Sequence, residues 1–309
     1  MPINNKAVHN RLIKPIKLQR RRGVTKAVAR PIPGPRPVPV TRMPKSALPT
    51  LNKRLKIGKS VRRQLVSKVA EIAVRGAPSV IEDKINKLKN SRVGNILVII
   101  GNGPSFKKAP LGKLKGYDQI DIMCINKPDD RVWPSDYWMF CDNSQYRRHI
   151  KLWNSYKGTI INASSVTRTR KNAIRIKSLS GKGFSKNLLR GFHIGRSSTY
   201  AAMQLALWMG YDEIYIFGVD MCAVDGKLYP WGSNPDVKDN TRKKRFKLEA
   251  DYYDRAAKEM TEKVRKKFYF CSKYNPFPFV KKYNKLDETK APGIILEKIK
   301  KKTGDTNGG

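Results

Sequence analysis

Short apolar runs recur along the chain after residue 93, separated by stretches with helical periodicity. The clearest run is the uninterrupted aliphatic segment from Ile96 to Ile100, which is followed by Gly101. A continuous run of branched aliphatic residues is typical of a strand buried on both faces of a parallel sheet. We predict further strands at 119–125, 137–141, 158–161, 213–218 and 267–271.

Apolar residues at helical spacing lie between several of these strands, at 143–153, 197–209 and 245–265. Strands that alternate with helices indicate an α/β fold with a mainly parallel sheet. In such sheets, ligands bind beyond the carboxyl ends of the strands. The residues directly after each strand are therefore the first candidates for functional chemistry.

The first 92 residues have a different pattern. Residues 1–58 are basic and proline-rich and show no sustained periodicity, so we predict a disordered tail. Residues 59–92 place apolar residues at helical spacing among many basic ones, which predicts an amphipathic helical segment with a second short helix at 79–88. We predict the globular domain at 93–280 and a basic C-terminal tail at 281–309.

The charge of the chain points to anionic partners. The 309 residues include 65 Lys and Arg against 24 Asp and Glu, a formal net charge of +41. Residues 1–92 hold 24 of the basic and 3 of the acidic residues. Such an excess implies polyanions nearby. For residues 1–92 we weigh nucleic acid or an acidic assembly partner against a solvated leader or a targeting segment.

Two further features narrow the class of protein. No apolar run approaches the roughly 20 residues of a membrane-spanning helix, so we expect no transmembrane segment. The cysteines are far apart and form no paired motif, which argues against a disulfide scaffold or a structural zinc site. This cysteine usage favours a cytoplasmic location.

Polar residues follow the first strand in a glycine-rich turn that contains Gly101, Asn102, Gly103 and Ser105. The glycines allow the backbone to turn tightly and approach a ligand, and Ser105 can cap a following turn whose N–H groups face an anion. The turn is not a GxGxxG fingerprint and lacks the Lys-Ser/Thr of a P-loop. It is therefore interpreted either as a phosphate or nucleotide loop or as a simple tight turn.

The next two predicted strands also end in polar side chains. Asn126 follows the second strand and can hydrogen-bond a ribose or a base, or can simply form a turn. Asp142 follows the third strand and can orient a substrate hydroxyl, or can cap the next helix. Both alternatives stay open for each residue.

The segment around residue 197 carries the richest chemistry. Ser197 and Ser198 begin an apolar helix, and Arg196 precedes them, so the helix start is a candidate phosphate seat. Asp220 lies just past the following strand, and Tyr229 lies downstream. We favour functional roles over simple capping, because these residues converge on one edge of the sheet.

The motifs, taken in order, resemble one superfamily. They are GNGPS after the first strand, Asn after the second, and S-S-x-x-x-A, LW-x-G-Y and I-Y-x-x-G-x-D, with a tyrosine downstream. The superfamily includes bacterial lipooligosaccharide sialyltransferases, motility-accessory-factor glycosyltransferases and MptE-like hydroxymethylpterin diphosphokinases, with similar domains in phage morphogenetic proteins. The resemblance covers roughly residues 94–280. It implies a Rossmann-like, doubly wound, nucleotide-binding domain of glycosyltransferase type.

The resemblance also implies roles for individual residues. Those that match the CMP-binding positions are Gly101, Asn102, Gly103 and Asn126, with Ser105 in the same turn. Ser197 and Ser198 match a hydroxyl pair before the long helix, and Tyr229 fits a tyrosine that holds the leaving phosphate. The implied cofactor is a nucleotide sugar, CMP-linked by preference, with no essential metal.

One departure from the family concerns the general base. The sialyltransferases use a histidine shortly before the last long helix, whereas the histidines here are His9, His149 and His193. Lys247, Glu249 or Asp251 occupies about the expected region. We name Tyr229, Asp220 and Glu249 as catalytic candidates. Asp142 and Arg196 are the candidate substrate contacts.

Three functions follow as hypotheses. The first is a glycosyltransferase of sialyltransferase or motility-accessory-factor type. The second is a non-catalytic phage-type structural or nucleic-acid-associated protein that uses the basic tail, in the host cytoplasm or the virion. The third is an ATP-dependent diphosphokinase, which would need magnesium. Catalytic activity, acceptor and oligomeric state stay open.

Overall fold

The chain divides into two compact units, Met1–Lys68 and Val69–Gly309. The computed structural model describes residues 80–166, 173–232 and 239–304, all of which belong to the second unit. The predicted tail at 1–58 and the first part of the helical segment at 59–92 lie outside the described residues.

An eight-stranded sheet, parallel throughout, forms the centre of the described unit. Its strands are β1 Ile96–Ile100, β2 Ile120–Ile125, β3 Tyr137–Phe140, β4 Thr159–Ala163, β5 Ile174–Ile176, β8 Glu213–Phe217, β9 Phe268–Cys271 and β10 Asn284–Leu286. A separate pair consists of β6 Ser178–Leu179 and β7 Phe192–His193. The prediction of an α/β fold with a mainly parallel sheet is confirmed.

Seven α-helices accompany these strands in the described ranges. They are α1 Val80–Leu88, α2 Asn143–Arg148, α3 Ile150–Ser155, α4 Ser198–Met209, α5 Asp239–Glu259, α6 Glu262–Arg265 and α7 Ala291–Thr303. The short helix predicted at 79–88 is α1, and the helix predicted at 143–153 is divided by His149 into α2 and α3. None of the helices described here is both long and apolar enough to cross a membrane.

Helices cover both faces of the sheet, which explains the continuous apolar strands. Leu97 and Ile99 of β1 point to a core that contains α4 and α5, while Val98 points to a second core with Ile295 of α7. Every residue of β1 is buried. Because both faces lose contact with water, a central strand gains hydrophobic stabilisation on each side and needs no polar alternation.

The basic segment at 281–309 does not form a tail as predicted: as far as residue 304 it is part of the domain. β10 pairs with β9 at the edge of the sheet, and Ile295 and Ile299 of α7 are buried. Lys298 extends over the strand ends, where its Nζ lies 2.8 Å from Glu213 Oε2. The many lysines led to the prediction of a tail. In the structure, α7 is an amphipathic helix whose apolar residues pack on the sheet.

The order of the strands determines where a ligand site should lie. From β1 the chain proceeds outward through β2, β3, β4 and β5, and then returns to β8 on the other side of β1. This reversal opens a crevice between the carboxyl ends of β1 and its neighbours. Candidate residues that border this crevice follow four strands, β1, β2, β3 and β8: Asn102, Asn126, Asp142 and Asp220.

Candidate functional site

A cleft of about 730 Å³ lies at the carboxyl edge of the sheet. The predicted site residues that line it are Asn102, Gly103, Asn126, Asp142, Arg196, Ser197, Ser198, Asp220, Tyr229 and Glu249. Gly101 and Ser105 are not among the lining residues. The topology therefore brings together residues between positions 102 and 249 that are far apart in sequence.

The glycine-rich turn packs against the end of β8. The backbone N–H of Gly101 donates to the carbonyl of Phe217, and that of Gly103 donates to the carbonyl of Gly218, both at 2.8 Å. A Cβ on Gly103 would lie 2.6 Å from Asp220 Oδ2 and 2.7 Å from the Gly218 carbonyl oxygen. The glycines are thus required by the close approach of two strand ends, and these two N–H groups are already used within the protein.

Asp220 is the centre of a buried hydrogen-bond cluster beneath the cleft. It is 1% exposed and accepts bonds from the Ser105 N–H at 2.8 Å, the Ser105 hydroxyl at 2.5 Å and the Ser272 hydroxyl at 2.5 Å. Burial raises the pKa of this carboxyl, and the hydrogen bonds from Ser105 and Ser272 oppose that rise. Asp220 and Ser105 therefore join the turn after β1 to the strand ends on its other side.

Asn126 and Ser198 connect two elements that meet at the cleft. Asn126 adopts a left-handed conformation, with φ +57°, which asparagine tolerates better than most residues. Its Oδ1 accepts a hydrogen bond from Ser198 Oγ at 3.2 Å. The end of β2 is thereby linked to the first residue of α4.

The beginning of α4 presents polar groups to the same cavity. Ser197 is the N-cap residue and makes no side-chain capping bond, and Ser197, Ser198 and Thr199 all line the cleft. The first N–H groups of a helix have no intrahelical partner, and the helix dipole adds positive potential there. The anion seat that the sequence predicts at this helix start stays a prediction.

Helix α5 places a carboxylate and two arginines along the cleft. Arg245 Nε lies 2.8 Å from Glu249 Oε1, and Arg245 Nη2 donates to the Arg196 carbonyl at 2.7 Å. Glu249 is 8% exposed. Burial raises its pKa, while Arg245, Arg242 and Arg196 act in the opposite direction. Glu249 is therefore a stronger proton acceptor than a solvated carboxylate.

Two cations and two aromatic rings form a stack at one end of the cleft. The rings of Tyr229 and Trp231 are parallel within 8°, with centroids 5.3 Å apart. The Arg242 guanidinium lies 4.8 Å from the Tyr229 centroid, and Lys127 Nζ lies 4.7 Å from the Trp231 centroid. Sequence reasoning found Tyr229 but missed its three partners. Lys127 directly follows Asn126, so its position after a strand was the available signal.

His149 was another omission. Sequence reasoning did not name it as a candidate, but it is half-buried, lines the cleft and contacts the Trp138 ring. Desolvation, with Lys127 and Arg148 nearby, lowers its pKa. His193, by contrast, lies on β7 with its Nδ1 3.3 Å from the Gly181 carbonyl, and it does not line the cleft.

Asp142 lines the cleft and also caps a helix. Its Oδ1 accepts the backbone N–H of Ser144 at 3.0 Å and that of Gln145 at 3.3 Å, so it is the N-cap of α2. The capping alternative is therefore observed. A contact with substrate stays a prediction for Asp142, as it does for Arg196.

Positive charge dominates the lining of the cleft. The cations are Lys127, Arg148, Arg196, Arg242 and Arg245, and the carboxylates are Asp142, Asp220 and Glu249. Burial raises the pKa of two of these carboxyls, Asp220 and Glu249. A cavity of this kind attracts anionic ligands.

No family model matches the chain, and no curated protein matches it. Among solved structures, the chain is similar to the sialyltransferase CST-II, whose crystal structure contains a trisaccharide acceptor and CMP. The alignment has 15% identity and a TM-score of 0.31, and it covers 62% of this chain and 86% of the other.

Proposed function

We propose that this protein is a glycosyltransferase that takes a sugar from a nucleotide donor. The observation that carries the proposal is the cationic cleft at the carboxyl ends of the strands, where the Asn126–Ser198 pair meets the first turn of α4. A nucleotide sugar offers the phosphate, ribose and base that such a site can bind. The motif order that resembles the sialyltransferase group supports this donor class, with CMP-linked sugars favoured.

The proposed chemistry assigns a role to each side of the cleft. The acceptor hydroxyl attacks the anomeric carbon of the donor, the bond from that carbon to the donor phosphate breaks, and the nucleotide leaves with the bonding electrons. Glu249 takes the proton of the hydroxyl, since burial raises its proton affinity. Tyr229 keeps its phenolic proton, because burial raises its pKa, and it can donate a hydrogen bond to the leaving phosphate.

His149 is a second group that can accept a proton. Its lowered pKa keeps the imidazole neutral at pH 7, and it lies on the same cleft as Glu249. Glu249→Gln and His149→Gln separate the two. Because Glu249 is the proposed base, Glu249→Gln should lose kcat with little change in donor affinity, whereas His149→Gln should retain most of its turnover.

The first test is a nucleotide panel on the full-length chain. Thermal unfolding is measured with CMP, UMP, GDP and ATP and with their sugar conjugates, with and without magnesium. A ligand at 100 times its Kd should stabilise the protein by about 2.7 kcal/mol. Selective stabilisation by one nucleotide and its sugar conjugate is the expected result. No shift with any nucleotide at millimolar concentration would contradict the proposal.

Paired variants then locate the binding site. Asn126→Gly removes the amide but keeps a residue that accepts φ +57°, and Ser198→Ala removes the hydroxyl that bonds to it. We expect each to weaken nucleotide binding by about tenfold, roughly 1.4 kcal/mol. Asn90→Gly is the matched control, because Asn90 also has a positive φ, of +52°, but is exposed and away from the cleft. Unchanged nucleotide affinity in both cleft variants would exclude this location.

A further inference from the structure

Arg242 is a cation that is almost fully buried. It lies on α5, lines the cleft and is 6% exposed. Its guanidinium is 4.8 Å from the centroid of the Tyr229 ring. Within the part of the chain that the structure describes, no carboxylate forms an ion pair with it.

The nearest candidate partner is already engaged. Glu249 Oε1 is 2.8 Å from Arg245 Nε, and the effect of Arg242 on this carboxylate is one of charge at longer range. Helical spacing explains the geometry, since residues 242, 245 and 249 are separated by three and four positions and so share one face of α5. Two arginines thus stand beside one buried carboxylate.

A buried charge is costly unless an opposite charge or hydrogen bonds compensate it. The ring face of Tyr229 offsets part of that cost, but it accepts none of the five N–H donors of a guanidinium. The guanidinium therefore lies over an aromatic ring on the border of the cleft, with N–H donors that the ring does not satisfy. A guanidinium in this setting matches a ligand with two oxygens side by side, as in a phosphate or a carboxylate.

We propose that Arg242, stacked on Tyr229 and flanked by Arg245, is the phosphate-binding residue of the cleft and holds the phosphate that leaves with the nucleotide. This inference rests on the proposed function for the identity of its ligand, a nucleoside phosphate. It adds a residue that the sequence motifs did not indicate. In this arrangement the ligand supplies the counter-charge to a guanidinium that has no acidic partner in the described ranges.

Calorimetric titration of the full-length chain with CMP and with cytidine tests the inference, because the two ligands differ only by the phosphate. Arg242→Gln should weaken CMP binding about 10- to 100-fold, the size expected for a lost charged hydrogen bond, and should leave cytidine binding unchanged. Lys243→Gln removes the same charge from an exposed neighbour on α5 and should bind both ligands as the wild type does. Arg242→Lys keeps the charge but not the planar fork, and should show an intermediate loss of CMP affinity.

Pyrophosphate and orthophosphate separate this inference from the proposed function. If the wild type binds neither CMP nor cytidine but binds pyrophosphate in a way that Arg242→Gln abolishes, the phosphate site stands and the CMP-type donor is wrong. Equal CMP affinity in the wild type, Arg242→Gln and Lys243→Gln would overturn the phosphate site while leaving the donor cleft intact. Failure of the wild type to bind any of these anions at millimolar concentration would overturn it as well. Should Arg242→Gln not fold, the same comparison is made with Arg242→Lys.

Discussion

Two walls of the cleft differ in how their buried polar groups are satisfied. On the strand-end wall, formed by Gly103, Gly218 and Asp220, the carboxylate and the turn bond to one another and to Ser105. On the α5 wall, formed by Arg242, Arg245 and Glu249, two cations stand beside one carboxylate. Groups that are fully bonded within the protein stabilise the fold, whereas an uncompensated charge is retained at a cost in stability. The conspicuous glycine motif therefore belongs to the scaffold, and the less conspicuous helix α5 carries the cations that the proposed phosphate ligand would contact.

The largest loss of stability is expected from a substitution of Asp220, on the strand-end wall. Asp220→Ala leaves three buried donors, on Ser105 and Ser272, without their acceptor, and should lower the free energy of unfolding by about 3–5 kcal/mol. Urea unfolding followed by tryptophan fluorescence measures the loss. Asp118→Ala, at an exposed position, is the control and should change stability by no more than about 0.5 kcal/mol. A loss below 1 kcal/mol at Asp220 would show that the buried cluster is not structural.

A smaller change in the free energy of unfolding, near zero or of opposite sign, is expected for a substitution on the α5 wall. Arg242→Gln removes a buried charge that pairs with no carboxylate of the described residues, so the ligand-free protein should unfold within about 1 kcal/mol of the wild type, or at higher urea. The same urea titration measures it. Destabilisation as large as that of Asp220→Ala would mean that Arg242 has a structural role, and the difference between the two walls would disappear.

The smallest expected effect concerns pH and His149. Desolvation, with Lys127 and Arg148, lowers the pKa of the folded-state imidazole below the model-compound value of 6.5. Below pH 6.5 the unfolded chain therefore binds more protons at this residue than the folded protein does, and stability falls as the pH is lowered. His149→Gln should lose less stability than the wild type between pH 7.5 and 5.5.

Unfolding midpoints at several pH values provide the measurement for His149. Above pH 8 the imidazole is neutral in both states, so wild type and variant should respond equally to pH. Lys127→Met is a second variant, which removes one of the two nearby charges. Its loss of stability between pH 7.5 and 5.5 should lie between those of the wild type and His149→Gln. Identical slopes for all three proteins between pH 7.5 and 5.5 would contradict the environment described for His149.

Local sequence predicted much of the sheet. It did not predict that backbone N–H groups of the glycine-rich turn after β1 bond within the protein. The run from Ile96 to Ile100 predicted a central strand because only a strand buried on both faces tolerates such continuity. Asn126 and Ser198 were predicted to border one site because parallel strands end at the same edge. Gly101 and Ser105 were expected at the ligand, but their backbone N–H groups bond to Phe217 and Asp220, which are far away in sequence.

Other features depended on which helix face turns inward. Arg242, Trp231 and His149 gave no sequence motif, and they become cleft residues only because α5, the loop after β8 and the end of α2 converge on the strand ends. The segment predicted as a basic tail belongs to the domain for a similar reason. Its lysines lie around an apolar stripe that includes Ile295 and Ile299, and that stripe finds its partner only on the folded sheet.

The sequence by itself determined the α/β class, the identity of the central strands and the edge of the sheet at which polar residues gather. Those properties depend on periodicity and on the fixed direction of parallel strands, which are local or topological. Tertiary structure alone decided which polar groups bond to each other and which remain for a ligand. That division depends on distances between residues more than 100 positions apart, such as Ser105 and Asp220, and on the burial that leaves Arg242 without an acidic partner among the described residues.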